Sequence, residues 1–203
     1  MKTIITVQHP QSIHHTNGMV GSWADWDLSE LGLRQAEAIG WNLSKELQGQ
    51  AFVLYSSDLA RARQTAEILG KHLGVQPSFA QALRERNLGK CVGQSVQWLR
   101  ANRERPERTI DDRLFSDAES RRDEWNRLHP FFEMLLSNGE ERIILVSHGD
   151  LLSVFNAMWL GLEAEALNRC ELFGAAGGVS HLCQTNDGKR WIKKLSDMSY
   201  LRP

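Results

Sequence analysis

Three short apolar runs, rich in β-branched residues, each give way within a few positions to a side chain able to do chemistry. The runs are 3–7 (TIITV), 51–55 (AFVLY) and 142–147 (RIILVS). Short unbroken apolar stretches of this kind are expected of buried strands. Between them the spacing of apolar residues is helical. Ala36, Ile39, Leu43 and Leu47 share a face behind a candidate cap at Ser29, with Gly49 as the stop. Leu59, Ala62, Ala66, Leu69 and Leu73 do the same behind Ser57 or Asp58. A short strand is expected near 78–82, and a helix through Val96 and Leu99 stops near Pro106. A helix of about 18 residues starts near Ser120, with Trp125, Leu128, Phe132 and Leu135 on one face. Leu151 to Leu162 reads as a further helix, and 179–184 and 190–195 read as two strands joined at Asn186, Asp187 and Gly188. Strands alternating with helices imply an α/β fold with a mostly parallel central sheet.

The chain of 203 residues is the size of one domain, and 1–203 is read as such. Its 24 basic and 25 acidic residues give no sign of a nucleic-acid groove or a membrane-facing surface. That balance leaves room for a small anionic ligand in a locally positive pocket. Cys91, Cys170 and Cys183 are too few and too scattered for a zinc cluster or a disulfide framework, which favours a reduced, cytoplasmic setting. The short apolar run at the N-terminus is read as neither a signal peptide nor a membrane span. The stretch 103–124 carries six basic and eight acidic side chains, finely mixed, and reads as a solvated excursion or lid. The face formed by Trp125, Phe131 and Phe132 is read as core or a dimer surface, so a homodimer is one option.

Ligands of open α/β sheets sit beyond the carboxyl ends of the strands. His9 lies two residues past the first run, Arg61 a few past the second, and His148 directly past the third. Neutral imidazole can attack phosphorus, and a second imidazole and a guanidinium can hold the phosphoryl oxygens. Such a site also needs a proton donor. Glu85 is the best candidate, because a carboxyl group beside a phosphate has its pKa raised.

The same residues lie in motifs that resemble the histidine phosphatase superfamily, also called phosphoglycerate-mutase-like. ITVQHPQS resembles the family's Arg-His-Gly signature, DLSELGLRQAEAIG its next helix, and YSSDLARARQTAEIL its second arginine segment. LRERNLG resembles the segment with the acid–base glutamate and VSHGDLLSVF the second histidine block. The resemblance implies a three-layer α/β/α sandwich and a covalent phosphohistidine mechanism without cofactor or metal. It implies His9 as nucleophile, Arg61 and His148 as phosphoryl clamps, Glu85 as general acid and then base, and Asn17 lining the site. The insertion at about 90–124 would cover the pocket and select a small phosphorylated substrate or inorganic phosphate.

Two positions depart from the signature. Gln8 replaces its arginine and Pro10 its glycine. An amide at position 8 donates hydrogen bonds but brings no charge. If the value for an oxyanion donor applies, the loss is about 2–4 kcal/mol of transition-state binding, roughly 10²–10³-fold in rate. Either another cation compensates, with His14, His15, Arg84 and Arg86 as candidates, or the chain is an impaired relative that binds a phospho-ligand. Trp23 and Trp26 are candidates to flank the pocket, and His14-His15 lacks a third metal ligand at a recognisable spacing.

Overall fold

The computed structural model describes residues 1–202. A six-stranded sheet runs in the order β3-β2-β4-β1-β5-β6. Its strands are β1 (Lys2–Gln8), β2 (Val53–Ser56), β3 (Pro77–Phe79), β4 (Arg142–Ser147), β5 (Val179–Gln184) and β6 (Arg190–Asp197). The first four are parallel, and β5 and β6 add an antiparallel hairpin beside β1. The helices are α1 (His14–Asn17), α2 (Glu30–Glu46), α3 (Ala60–Leu73), α4 (Val96–Asn102), α5 (Arg121–Ser137) and α6 (Gly149–Trp159).

Alternation along the strands sends successive side chains to opposite faces, and both faces are covered, which is why the runs are apolar throughout. Ile4, Ile143, Leu145 and Leu182 pack with Leu128 and Phe132 of α5 and Phe155 and Trp159 of α6. Ile5, Val7, Ile144 and Val146 pack with Ile39 and Leu43 of α2 and Ala62, Ala66 and Leu69 of α3. The result is the expected three-layer sandwich. Every residue of α6 from Leu151 to Trp159 is buried, so this helix shows no polar face.

Two local expectations are corrected. The connection 8–28 contains the one-turn helix α1, too short to leave a periodic signal. Neither Ser57 nor Asp58 caps α3; its N-cap residue is Leu59, and the carboxylate of Asp25 accepts from Ala60 N at 2.6 Å instead. The α5 start is as read: the Ser120 and Asp123 side chains each bond the other's backbone amide.

The excursion is partly anchored. Phe115 and Cys91 are fully buried in a small cluster with Val20 and Ala118. Backbone bonds from Val20 N to Gln94 O and from Val96 N to Gly18 O tie it to the loop after β1. Among the described residues, no helix is long and apolar enough to cross a membrane.

Candidate active site

The register pairs Gln8 with Ser147 and Ser56 with Val146, so β1, β4 and β2 end side by side. His9, His148 and Arg61 therefore meet. His9 is 3 % exposed, and its Nδ1 lies 2.8 Å from Pro10 O. A carbonyl only accepts, so Nδ1 carries the ring proton and Nε2 keeps its lone pair. The Nε–H of Arg61 donates to that Nε2 at 3.1 Å. Burial, then the charge of Arg61, holds the His9 pKa well below the usual imidazole range.

Arg61 is fully buried in the first turns of α3, with Nη1 on Ala24 O at 2.9 Å and Nη2 on Ser22 O at 2.7 Å. Ser22 holds φ 42°, in the left-handed region that non-glycine residues rarely visit. Its hydroxyl secures the turn by donating to Arg86 O and accepting from Leu88 N. His148, fully buried, is the residue preceding α6, and its ring centre lies 5.1 Å from that of His9. Its Nε2 is 2.8 Å from Ser57 Oγ, while Nδ1 has no protein partner. Burial and Arg61 depress its pKa as well.

Glu85 sits at the N-terminus of α6, where Oε1 accepts from Leu151 N at 3.2 Å and Oε2 from Asp150 N at 3.4 Å. Burial, with the neighbouring charge of Asp150, pushes its pKa up to about 7 against the pull of the Arg86 and Asp150 amides and of Arg61. Its loop is held through main-chain carbonyls. Trp23 Nε1 donates to Glu85 O at 2.6 Å, and Arg127 donates to the carbonyls of Ala82, Arg84 and Glu85. Glu119 fixes Arg127 at 2.7 Å.

Asn17 is exposed, and its Oδ1 accepts from Met19 N at 2.9 Å in the turn after α1. The Gln8 amide packs against Gly149 and Gly174 and lines a small cavity with Asn156 and Ser180, its Oε1 without a partner. Arg84 is bidentate to Asp58, and Arg86 pairs with Glu107 and Asp150. Trp23 and Trp26 spend their indole N–H groups on carbonyls of this loop region. The histidines of α1 do reach the site: the rings of His15 and His14 lie 5.6 and 6.1 Å from that of His9. Ser57, Ser22, Glu119 and Arg127 were not foreseen. Only Ser57 carried a signal, next to a strand end in YSSD, and it read as a helix cap.

The site thus holds an imidazole nitrogen whose lone pair faces the Arg61 guanidinium, cationic and neutral donors around it, and a carboxyl group whose pKa is pushed up to about 7. That set suits nucleophilic attack on a compact anionic centre with proton transfer to a leaving group.

The sequence profile of the histidine phosphatase superfamily (branch 1) matches residues 4–197. A glucosyl-3-phosphoglycerate phosphatase of Mycolicibacterium vanbaalenii is 30% identical over 81% of this chain and 77% of its own length. A metal-independent phosphoserine phosphatase of Arabidopsis thaliana is 30% identical over 98% of this chain and 82% of its own. Among solved structures, Bacillus stearothermophilus YhfR superposes with a TM-score of 0.84 at 19% identity, covering 100% of both chains. A mycobacterial glucosyl-3-phosphoglycerate phosphatase complexed with inorganic phosphate superposes with a TM-score of 0.80 at 22% identity, again over 100% of both chains.

Proposed function

The chain belongs to the histidine phosphatase superfamily, branch 1, and from that premise we propose that it hydrolyses a small phosphomonoester through a phosphohistidine on His9. The observation that carries this reading is the state of His9: a buried ring whose Nδ1–H is spent on Pro10 O and whose Nε2 lone pair is held beside Arg61 and His148. The Nε2 lone pair attacks phosphorus as the ester P–O bond breaks, and the Glu85 carboxyl gives its proton to the departing alcohol oxygen. Arg61 and the free Nδ1 of His148 hold the phosphoryl oxygens, where charge grows in the transition state. Glu85, now ionised, then takes a proton from water as that water attacks phosphorus and the P–N bond breaks. The segment at about 90–124, tied to the loop after β1, would cover the pocket and select the organic part of the substrate.

The named activities of the relatives in Mycolicibacterium vanbaalenii and Arabidopsis thaliana support a phosphatase. Gln8 favours a second reading, a phospho-ligand binding protein with little turnover, because its uncharged amide hydrogen-bonds no residue of the site. The deciding experiment is an aryl phosphate assay in chelator-treated buffer with the wild type, His9→Ala and Gln8→Arg. Loss of activity in the first variant and a rise in the second are expected. Turnover that survives removal of the His9 ring overturns the mechanism, and saturable phosphate binding without turnover selects the second reading.

A further inference from the structure

The loop after β1 presents a further donor beside His9. The His15 ring stacks nearly parallel on that of His9, with centres 5.6 Å apart and 12° between planes. Its orientation is fixed by a backbone bond, since Ser12 N–H points at His15 Nδ1 at 3.2 Å. A nitrogen receiving a proton from an amide cannot carry its own, so the neutral ring holds its proton on Nε2. That N–H belongs to an exposed residue whose ring faces the buried ring of His9. His14 buttresses this arrangement rather than competing with it. Its ring lies 4.1 Å from that of His15, its Nδ1 is 2.7 Å from Ser12 Oγ, and its far edge packs on Gly21, where even a Cβ would approach Nε2 to 2.7 Å.

We propose that His15 is a phosphoryl-binding residue of this site, donating its Nε2–H as a neutral hydrogen bond to an oxygen of the group held at His9. The inference rests on the reading of the site as a phosphoryl site, but not on turnover. The groups around His15 favour the neutral ring. Arg61 on α3 is a fixed cation, His9 and His148 stand at two strand ends, and His14 lies on the same short helix. Burial and Arg61 both hold the His15 pKa down, and a second proton at Nδ1 would also expel the Ser12 amide. The contribution of His15 to anion binding is therefore level between about pH 7 and pH 8, above the ordinary imidazole range, where a cationic contact would fade by up to about tenfold per unit.

Sulfate is a suitable probe, being a tetrahedral dianion throughout that range. Calorimetric titration of the intact chain with sulfate should show affinity about 10–100-fold weaker in His15→Ala, by the measure of a lost hydrogen bond to a charged group. His15→Gln, which keeps an amide N–H of similar reach, should recover most of the loss. The ratio of wild-type to His15→Ala affinity should stay level from pH 7 to pH 8. Unchanged affinity in His15→Ala, no recovery in His15→Gln, or a ratio that falls steeply with pH would each overturn the proposal. Sulfate binding with this pattern but no phosphatase activity would uphold the role of His15 while removing the hydrolytic reading.

Discussion

Glu85 is the residue whose chemistry is most exposed to pH. Its carboxyl titrates at about 7, and the donor role requires the proton to be present. Above that value the acid form is depleted, so kcat/KM should fall by up to about tenfold per pH unit on the alkaline side. The loss should depend on the leaving group. An alkoxide cannot depart without a proton, whereas nitrophenolate can. Glu85→Gln should therefore cost about 10²–10⁴-fold with an alkyl phosphate and far less with 4-nitrophenyl phosphate. The alkaline limb should vanish in the variant, and equal losses on both substrates would remove Glu85 from the donor role. At this scale the meeting of His9, Arg61 and His148 was legible in the sequence, because a polar residue just past a buried strand has few places to go, whereas Glu85 follows a short, largely exposed strand and was picked out only by the need for a proton donor and by its motif. Asn17 and His15 were not separable that way. Both lie in one four-residue helix, and the stacking of His15 on His9 depends on the Ser12 amide that donates to its ring, a contact with no sequence signal.

The elements that carry these residues are joined by close backbone approaches. The first turn of α2 presses on the loop after β1 so tightly that a Cβ on Gly32 would lie 1.8 Å from Gln11 O. The same carbonyl accepts from Ser29 N, the N-cap residue of α2, and Gln11 N donates to Gln35. Gly32→Ala must therefore push apart the helix and the segment that bears Pro10 O, the partner of His9 Nδ1. It should cost about 1–3 kcal/mol or more by overpacking and lower aryl phosphate turnover with it. Gly18, with φ 72° and nothing near its missing Cβ, is the comparison. Gly18→Ala strains only its own backbone, so its melting temperature should fall less, and the reverse order would show that the two elements separate freely. Strand runs and helix faces were readable because burial on a regular element imposes a period. The α3 N-terminus was misread for the opposite reason. Ser57 and Asp58 have the chemistry of caps, but His148 and Arg84 engage them first, and Asp25 serves the helix from another loop.

For the whole molecule, the cluster of buried ionisable groups sets stability against pH from both sides. His9 and His148 have depressed pKa values in the fold, so below about pH 6.5 the unfolded chain binds protons that the native state does not, and acid destabilises. The opposing group is Glu124 on α5. It is fully buried, neither carboxyl oxygen has a hydrogen-bond partner, and Arg121 comes no nearer than 3.8 Å. Burial, then the charges of Asp150 and Glu85, raises its pKa well above the usual carboxylate range. The unfolded carboxyl releases its proton near pH 4.3 while the folded one keeps it, so stability falls as pH rises from there through the folded pKa. The slope from this single group is at most about 1.4 kcal/mol per pH unit. Glu124→Gln keeps the shape and removes the titration. Denaturant melts of wild type and variant at pH 5 and pH 8 should therefore show the variant gaining on the wild type as pH rises, with a shallower alkaline decline. A variant equally destabilised at both pH values would mean that Glu124 is ionised in the fold and held by Arg121, and the alkaline limit would then have to come from Glu85 alone.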